Sequence, residues 1–179
     1  MKALKTFLVI AAVGLIAACA SSPTTNSDYN PATNFAQYHS FGFMTTDNIA
    51  DPMVDSRIKS AITAALTSKG WTLNDQGPDV WVVPHVQLSE QTQLNTWNTG
   101  WGYGRWGGGM GTTQTTVEKI PIGTVIIDLV DAKKKEMIWR GTASNTISQS
   151  ATPEQKQAAV NQAMTQLFQN FPPGSAPAK

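Results

Sequence analysis

Histidine, serine and acidic side chains occur in this sequence, but not at the spacings that catalytic and metal sites require. His39 and His85 are the only histidines, and no HxH, HxxxH or CxxC pattern places a second ligand near either of them. No serine lies in a GxSxG nucleophile elbow, so a hydrolytic enzyme is the least favoured class. We expect no enzyme activity, no metal ion and no bound cofactor, and we interpret His85 as a strand residue that hydrogen-bonds to the backbone.

A glycine-rich segment with interspersed aromatic residues is the best candidate for a binding site. Residues 100–111 have the sequence GWGYGRWGGGMG, which is too rich in glycine to hold regular structure on its own. Tryptophan, tyrosine and arginine are the types that dominate binding hot spots. The candidate partner-binding residues are Trp97, Trp101, Tyr103, Arg105 and Trp106. They can lie on a protein, a glycan or a bilayer interface; the alternative is that the tryptophans fold back onto the domain.

A charged pair, Asp128 and Arg140, lies in a stretch that is otherwise predicted to form strands. If the turn between the strands has three residues at its tip, the two side chains face each other across a hairpin. We interpret them as a structural ion pair that fixes the strand register. The alternative is that Arg140 binds the carboxylate or phosphate of a ligand.

The only cysteine, Cys19, follows a sequence that is typical of export. Residues 1–18 contain a basic start, an apolar run from Phe7 to Ile16, and Ala17 and Ala18 before the cysteine. This order resembles the bacterial lipobox, in which the cysteine receives diacylglycerol and an N-acyl lipid. We therefore expect lipidation of Cys19, and since several acyl chains together give stable anchoring, a permanent membrane anchor.

The anchor also predicts a location for the protein. The residue after the cysteine is Ala20 rather than aspartate, which by resemblance to sorted lipoproteins favours the outer membrane, with the domain in the periplasm. Lys and Arg number 13 against 12 Asp and Glu, so the charge does not indicate nucleic acid binding. We interpret Lys133, Lys134 and Lys135 as a solvated turn.

The element on which we expect the domain to be built is a hairpin, GTVIIDLVDAKKKEMIWRGTAS, at residues 123–144. Its first half alternates β-branched residues, a polar turn spans residues 131–135, and Met137 and Trp139 alternate with Ile138 in its second half. Further strands are predicted at residues 40–44, 79–88 and, more weakly, 112–119. Because Pro84 cannot donate a ladder hydrogen bond, we expect its strand to lie at an edge or to contain a bulge.

Two helices complete the pattern. Asp51 and Pro52 are typical of a helix start, and Gly70 ends the apolar stripe that follows. Thr152, Pro153 and Gln155 form a capping-box pattern before a second stripe. The prediction is an α+β fold with two layers, in which two helices pack on one face of a mostly antiparallel sheet of four to five strands.

The predicted domain organisation has four parts. A signal peptide covers residues 1–18, and the lipidated cysteine with a flexible tether covers residues 19–30. A single α+β domain spans residues 31–173 and contains the Gly/Trp-rich loop at 97–111. Residues 174–179 are predicted to be a tail.

The chain resembles a family of bacterial lipoproteins known as domain of unknown function 4136. The residues that carry the resemblance are Asp28, Tyr29, Phe35 and Tyr38, the helix end with Ile58, Ile62, Leu66, Lys69 and Gly70, residues 79–85, the hairpin, and Pro153 with Phe171, Pro172 and Pro173. The resemblance covers nearly all of the chain after Cys19. It implies an anchored two-layer α+β envelope domain, and it transfers no catalytic residues because that family has no established activity.

These observations favour a lipid-anchored envelope protein with a non-enzymatic binding or structural role. Its partner would be another envelope component, a protein, a glycan or a lipid, engaged through the Gly/Trp-rich loop. The alternative is a carrier of a small ligand or lipid, with a pocket between the helices and the sheet. A carrier would need a sizeable apolar cavity, and a filled core would argue against it.

Overall fold

The computed structural model describes residues 22–44, 49–98 and 113–173. Its elements, in chain order, are β1 (Thr24–Tyr29), a short 3-10 helix (Phe35–Gln37), β2 (Ser40–Phe43), α1 (Pro52–Ser68), β3 (Thr72–Leu73), β4 (Val80–Asn98), β5 (Thr113–Asp131), β6 (Met137–Thr146) and α2 (Pro153–Leu167). None of the helices in these ranges is long and apolar enough to cross a membrane.

The sheet has six strands in the order β1-β6-β5-β4-β2-β3, and it is mixed. The prediction of an α+β fold with two helices is confirmed, whereas the strand count of four to five is too low. β2 runs parallel to both β3 and β4. The parallel pairs arise because the chain passes through α1 between them, and a crossover of this kind returns the chain in the same direction.

The predicted tether of residues 19–30 is wrong in its last part, because Thr24–Tyr29 forms the edge strand β1. It pairs antiparallel with β6, from Thr24 opposite Ser144 to Tyr29 opposite Trp139. Most of its side chains are exposed. This segment is a strand because its backbone pairs with the remote strand β6. Since its side chains are not buried, it needs no alternation of apolar residues.

The predicted central hairpin is formed by β5 and β6. Ile127 and Leu129 are fully buried on the face that carries the helices, and the register shifts once between Leu129 and Val130. At the turn, the Asp131 N–H donates to the Glu136 carbonyl at 2.9 Å. Lys135 has a φ of 62°, so the turn closes through a left-handed residue.

β4 and β5 are much longer than the sequence predicts, with 19 residues each. They pair without a register break from Val80 opposite Asp131 to Asn98 opposite Thr113. The weak strand predicted at residues 112–119 is therefore the first half of β5 and not a separate element. Neither Pro121 nor Gly123 interrupts the pairing with β4.

Both helices begin where the caps predict. Asp51 Oδ1 accepts hydrogen bonds from the N–H groups of Met53 at 2.8 Å and Val54 at 3.4 Å, and Pro52 is the first residue of α1. Thr152 and Gln155 form the reciprocal capping box of α2. Gly70 has a φ of +87° after α1, which is the left-handed conformation expected of a glycine that ends a helix.

The core lies between one face of the sheet and the two helices, and aromatic rings fill it. Trp139 stacks on Phe168 with ring centroids 5.1 Å apart, and Phe171 meets both rings edge-on. Phe171 also contacts Trp71 and Phe35. The side chains of α1 that face this cluster, Ile58, Ile62 and Leu66, are at most 1% exposed. The opposite face of the sheet carries no described helix.

Candidate functional site

The first feature that distinguishes this fold is a two-stranded extension of the sheet, which we call the arm: residues 89–98 of β4 with residues 113–121 of β5. β2 pairs with β4 only as far as Val82, and the β6 ladder reaches β5 only as far as Ile122. In the described part of the chain, no strand pairs with the outer edges of the arm. At about 3.3 Å per residue, it projects roughly 30 Å.

The arm exposes apolar side chains on the face that continues from the helix-covered side of the body. Leu94 and Val117 are directly opposite each other and are 64% and 59% exposed. Leu88, at the base of the arm, is 75% exposed. A two-stranded ribbon is marginally stable by itself, so these residues mark a surface that gains stability if a partner covers it.

The arm carries the predicted binding segment at its end. Trp97 lies in β4 opposite Gln114 of β5. The other candidate partner-binding residues, Trp101, Tyr103, Arg105 and Trp106, lie outside the described residues, as does Cys19. The described residues that flank positions 99–112, Asn98 and Thr113, pair with each other at the far end of the arm.

The second feature is a charged cluster on the open face of the sheet. Arg140 Nε donates to Asp128 Oδ1 at 2.6 Å, and Arg140 Nη2 donates to Asp128 Oδ2 at 2.7 Å. The pair is therefore bidentate, and Asp128 raises the pKa of the Arg140 guanidinium by accepting these hydrogen bonds. The structure thus brings together the two residues that the sequence suggested as an ion pair.

His85 is a third member of this cluster, and the sequence alone did not connect it to Asp128 and Arg140. His85 Nε2 lies 3.3 Å from Asp128 Oδ2, so its described partner is a side chain and not the backbone that we expected. The Asp128 side chain is 8% exposed, whereas those of His85 and Arg140 are 34% and 50% exposed. The alternation of β4 indicates in the sequence that His85 and Val83 share one face of the strand. Only the register of β4 with β5 shows that Asp128 lies beside them.

The geometry of the cluster favours the structural reading. Asp128 uses both carboxylate oxygens for Arg140 within the hairpin, and the strands hold the two residues directly opposite each other. A one-residue slip would move Asp128 to the core face and separate the pair. Arg140 therefore uses its Nε and Nη2 groups to bind Asp128, and the other side of its guanidinium is exposed to solvent.

We expect Asp128→Asn to lower the thermal midpoint of unfolding. The amide keeps the shape of the carboxylate but loses its charge and one acceptor, and charged hydrogen bonds contribute about 1.5–3 kcal/mol. A thermal melt followed by circular dichroism measures the change, with Glu118→Gln on the exposed arm as the control. An unchanged midpoint combined with loss of partner capture would instead make Arg140 a ligand-binding residue.

The third feature is a hydrogen-bond network beneath the hairpin turn. Asp131 is 4% exposed; its Oδ2 accepts from the Tyr38 hydroxyl at 2.7 Å and its Oδ1 from Lys133 N at 2.8 Å and Lys134 N at 2.9 Å. Nearby, Asp79 Oδ2 accepts from the backbone of His39 and from both the backbone and the hydroxyl of Ser40. These carboxylates anchor two loops, and no local pattern in the sequence predicts their contacts with Ser40 and Tyr38, because these partners lie 39 and 93 positions away.

The network shifts the pKa of its members. Burial by itself would raise the pKa of the Asp131 carboxyl. The hydrogen bonds donated by the Lys134 and Lys133 backbone and by the Tyr38 hydroxyl lower this pKa by more than burial raises it, so the net shift is downward. For Asp79 the hydrogen bond from the His39 backbone is the main cause of a lowered pKa. Burial, and then the bond to Asp131, raise the pKa of Tyr38 to about 12.

Within residues 22–44, 49–98 and 113–173, no group of three or more His, Cys, Asp or Glu side chains is placed to hold a metal ion. The described residues also line open clefts on the surface. One of about 230 Å³ lies beside Tyr29 and Phe171, and one of about 460 Å³ lies at the base of the arm beside Leu88 and Ile147.

Comparison with solved structures shows that the fold occurs in other proteins at low sequence identity. A PDZ domain protein from Parabacteroides distasonis aligns with a TM-score of 0.57 at 12% identity, over 88% of this chain. The aligned region makes up 38% of that longer protein. This similarity concerns the fold alone.

Two other similar structures align less closely. The PelC dodecamer from Paraburkholderia phytofirmans has a TM-score of 0.48 at 12% identity, covering 82% of this chain and 94% of that one. A putative neuraminyllactose-binding hemagglutinin homolog from Helicobacter pylori has a TM-score of 0.37 at 11% identity, covering 76% and 87%. None of the curated proteins matches the sequence.

A family model described as Domain of unknown function (DUF4136) matches residues 25–173. The match begins inside β1 and ends two residues after Phe171, so it contains every described helix and nearly every residue of the sheet. It also contains the arm, the charged cluster and the network beneath the turn. The chain therefore belongs to the DUF4136 family.

Proposed function

We propose that this protein is a lipid-anchored outer-membrane lipoprotein with a non-enzymatic binding role, and that it engages another envelope component through its Gly/Trp-rich segment. The observation that carries the proposal is the arm. Asn98 and Thr113, which flank residues 99–112, pair at the far end of two strands that project roughly 30 Å beyond the body of the domain, and this supports a role of the segment in reaching a partner.

The composition of the segment suits this position. Aromatic and arginine side chains provide most of the binding energy in protein interfaces, and their exposure to water is unfavourable unless a partner covers them. The apolar pair of Leu94 and Val117 extends the same kind of surface along the arm. The partner is thus expected to contact both the segment and the outer part of the arm.

The alternative function as a small-ligand or lipid carrier receives no support from the described core. The space between the helices and the sheet is occupied by rings, and Phe168, Phe171 and Trp139 are at most 2% exposed. The two clefts are open to solvent: the smaller one reaches only the edge of the core, beside Trp139, Leu167 and Phe171, and the larger one lies at the base of the arm. A carrier pocket would require these rings to move apart.

The anchor is tested by replacing Cys19 with serine in the full chain. We expect the wild-type chain to fractionate with outer membranes. We expect Cys19→Ser to lose this association, because the serine hydroxyl does not replace the cysteine thiol as the acceptor of diacylglycerol. Membrane fractionation and the mass of the mature chain measure the outcome. If Cys19→Ser still fractionates with the outer membrane and the wild-type mass shows no acyl groups, the anchoring proposal fails.

The binding role is tested by photo-crosslinking in living cells. A photoreactive side chain is placed at Trp101 or at Trp106, and the matched control carries it at Lys134, in the exposed turn at the opposite end of β5. We expect one reproducible protein, glycan or lipid adduct from the two tryptophan positions and none from Lys134. Absence of an adduct at both tryptophan positions, with the chain correctly anchored, would reject the segment as the binding site.

A further inference from the structure

Among the described residues, no strand pairs with the outer edge of β4 beyond Val82. The Met44 N–H donates to the Val82 carbonyl at 3.0 Å, so the backbone groups of Val82 point towards β2. Residues two apart in a strand point the same way, and the backbone groups of Val86, Leu88 and the even-numbered residues up to Thr96 therefore point to the side that β2 has left. Pro84, which has no N–H, lies where this free edge begins.

The edge lacks the features that usually prevent a strand from pairing with another chain. Natural edge strands carry lysines, prolines, bulges or inward-pointing charges. From Val86 to Thr96, β4 has no proline, its register with β5 has no bulge, and its only charged residue is Glu90. A free edge of this length with uncharged Ser, Thr, Gln and Asn side chains is open to strand addition.

The sequence of the edge is complementary to itself. If two β4 edges align antiparallel with Gln91 opposite Gln91, then Leu88 of each copy lies opposite Leu94 of the other. Both leucines are even-numbered, so their backbone groups face the partner strand and form hydrogen-bonded pairs. Registers that place Leu88 opposite Leu88, or Leu94 opposite Leu94, each lose one of these apolar pairs.

We propose that two copies of this chain form a symmetric dimer through the outer edges of β4, antiparallel and with the twofold axis at Gln91. The pairing runs from Val86 to Thr96 in each copy. It joins the two arms into one four-stranded sheet in the order β5-β4-β4-β5. The two bodies then lie at opposite ends of this sheet, so that each arm runs alongside the other.

This arrangement joins exposed apolar side chains of the two copies into continuous rows. Across the sheet, Val117 and Leu94 of one copy continue into Leu88 of the other, and next to that leucine is Gly123. Ile147 lies over Gly123, because a Cβ at that glycine would be 2.9 Å from Ile147 Cδ1. The dimer has two such rows, and each row contains residues from both copies. The cleft of about 460 Å³ beside Leu88 and Ile147 borders these rows.

Charges at the proposed interface are also compatible. Glu90 lies opposite Thr92 of the other copy, so no two like charges are directly opposed. The two Glu90 side chains are diagonal neighbours on one face, and each is paired with Lys119 of its own chain at 3.1 Å. The centre of the interface therefore has two carboxylates and two ammonium groups.

Joining the arms also stabilises them. A two-stranded ribbon is marginal, whereas three or more strands with an apolar face are stable. Pairing supplies hydrogen-bond partners to the outward backbone groups of β4 and an apolar row to its exposed leucines. A second copy is favoured over an unrelated strand because the same two leucines complement each other in both directions.

The test is disulfide cross-linking of the full-length chain in isolated membranes under mild oxidation. In the proposed register Gln91 faces Gln91 in a non-hydrogen-bonded pair, with Cα atoms about 4.5 Å apart, which suits a disulfide. We expect Gln91→Cys to form a covalent dimer. Wild type, whose only cysteine is Cys19, serves as the blank.

Two further variants test the register. Ser89 faces Gln93 of the partner, and the two Ser89 positions are about 13 Å apart along the strands. Ser89→Cys alone should therefore not cross-link, whereas co-expressed Ser89→Cys and Gln93→Cys chains should cross-link to each other. The proposal is overturned if Ser89→Cys alone cross-links as well as the mixed pair does, or if Gln91→Cys forms no dimer. A Gln91→Cys adduct to another protein would also overturn it, because that protein and not a second copy would then pair with the edge.

A disruptive variant separates the dimer from a chance collision in the membrane. Leu94→Arg, made in the Gln91→Cys chain, places a charge opposite Leu88 and should reduce cross-linking at least tenfold. Leu73→Arg is the matched control, since Leu73 is an exposed leucine of β3 far from the arm. Thermal melts establish that both variants are folded, and equal cross-linking in the two would reject the interface.

Discussion

Replacing Asp131 with alanine is expected to lower the free energy of unfolding by about 3 kcal/mol. The buried Tyr38 hydroxyl loses its acceptor, and so do the N–H groups of Lys133 and Lys134 that hold the turn. An unsatisfied buried group costs about 1–3 kcal/mol, and the exposed turn groups recover part of their loss from water. At 2–4 °C per kcal/mol for a domain of this size, we expect the melting temperature to fall by roughly 6–12 °C.

A double-mutant cycle identifies the cause of this loss. Tyr38→Phe removes the hydroxyl and keeps the ring, which is packed between Phe35 and Trp71. If the hydrogen bond carries the effect, Asp131→Ala should cost less in the Tyr38→Phe background than in wild type. Additive losses would show instead that Asp131 acts mainly through the turn.

The same residue predicts a dependence of stability on pH. Because the folded-state pKa of Asp131 lies below its unfolded value of about 3.9, its stabilisation is complete above that value and is lost as the pH falls through the folded-state pKa. The pKa of Tyr38 is raised to about 12. Its stabilisation is therefore complete below about pH 10 and is lost as the pH rises from there towards 12.

Denaturant unfolding at several pH values measures this linkage. The difference in unfolding free energy between wild type and Asp131→Ala should be largest between about pH 5 and pH 9, and it should shrink in acid. A constant difference from pH 2 to pH 7 would contradict the assignment of the lowered pKa to Asp131.

Gly141→Val is expected to destabilise the domain by roughly 3 kcal/mol through overpacking. A Cβ at this position of β6 would lie 2.8 Å from Trp139 Cζ3 and 2.9 Å from Leu167 Cδ1. The indole cannot move without disturbing its stack on Phe168 and its edge contact with Phe171. The added side chain therefore has to displace the centre of the aromatic core.

Matched variants separate overpacking from a general intolerance of glycine replacement. Gly141→Ala should cost about 2 kcal/mol, whereas Gly77→Ala, which has nothing within 4 Å of the added Cβ, should stay within about 0.5 kcal/mol of wild type. Gly141→Ala should cost less in the Trp139→Leu background than in wild type, because the smaller side chain leaves room for the added Cβ. If Gly141→Val melts as wild type does, the close packing of Trp139 over Gly141 is wrong.

Several features of the fold were predictable from the sequence because they depend on neighbouring residues. The starts of α1 and α2 follow from Asp51, Pro52 and Thr152, whose side chains and fixed φ angle act within one helical turn. The hairpin of β5 and β6 follows from apolar alternation around a polar turn. Asp128 was predicted to face Arg140 if the turn had three residues at its tip. The turn has four, residues 132–135, between Asp131 and Glu136, and the register shift between Leu129 and Val130 restores the predicted pairing.

Other features depend on pairing between distant parts of the chain, for which the sequence has no local signal. β1 is a strand only because β6 supplies its backbone partners more than a hundred residues later. Tyr38 meets Asp131 across 93 positions, and His85 reaches Asp128 through the register of β4 with β5. Each of these contacts required the tertiary arrangement.

By itself, therefore, the sequence determined the helix caps, the turn of the central hairpin and the α+β class, since these rest on short-range hydrogen bonds and on the period of apolar residues. Only the tertiary structure decided the parallel pairing of β2, the length of the arm and the free edge of β4. The reason is that a strand's neighbours, and the point at which they leave it, are set by long-range backbone pairing and not by the residues of the strand itself.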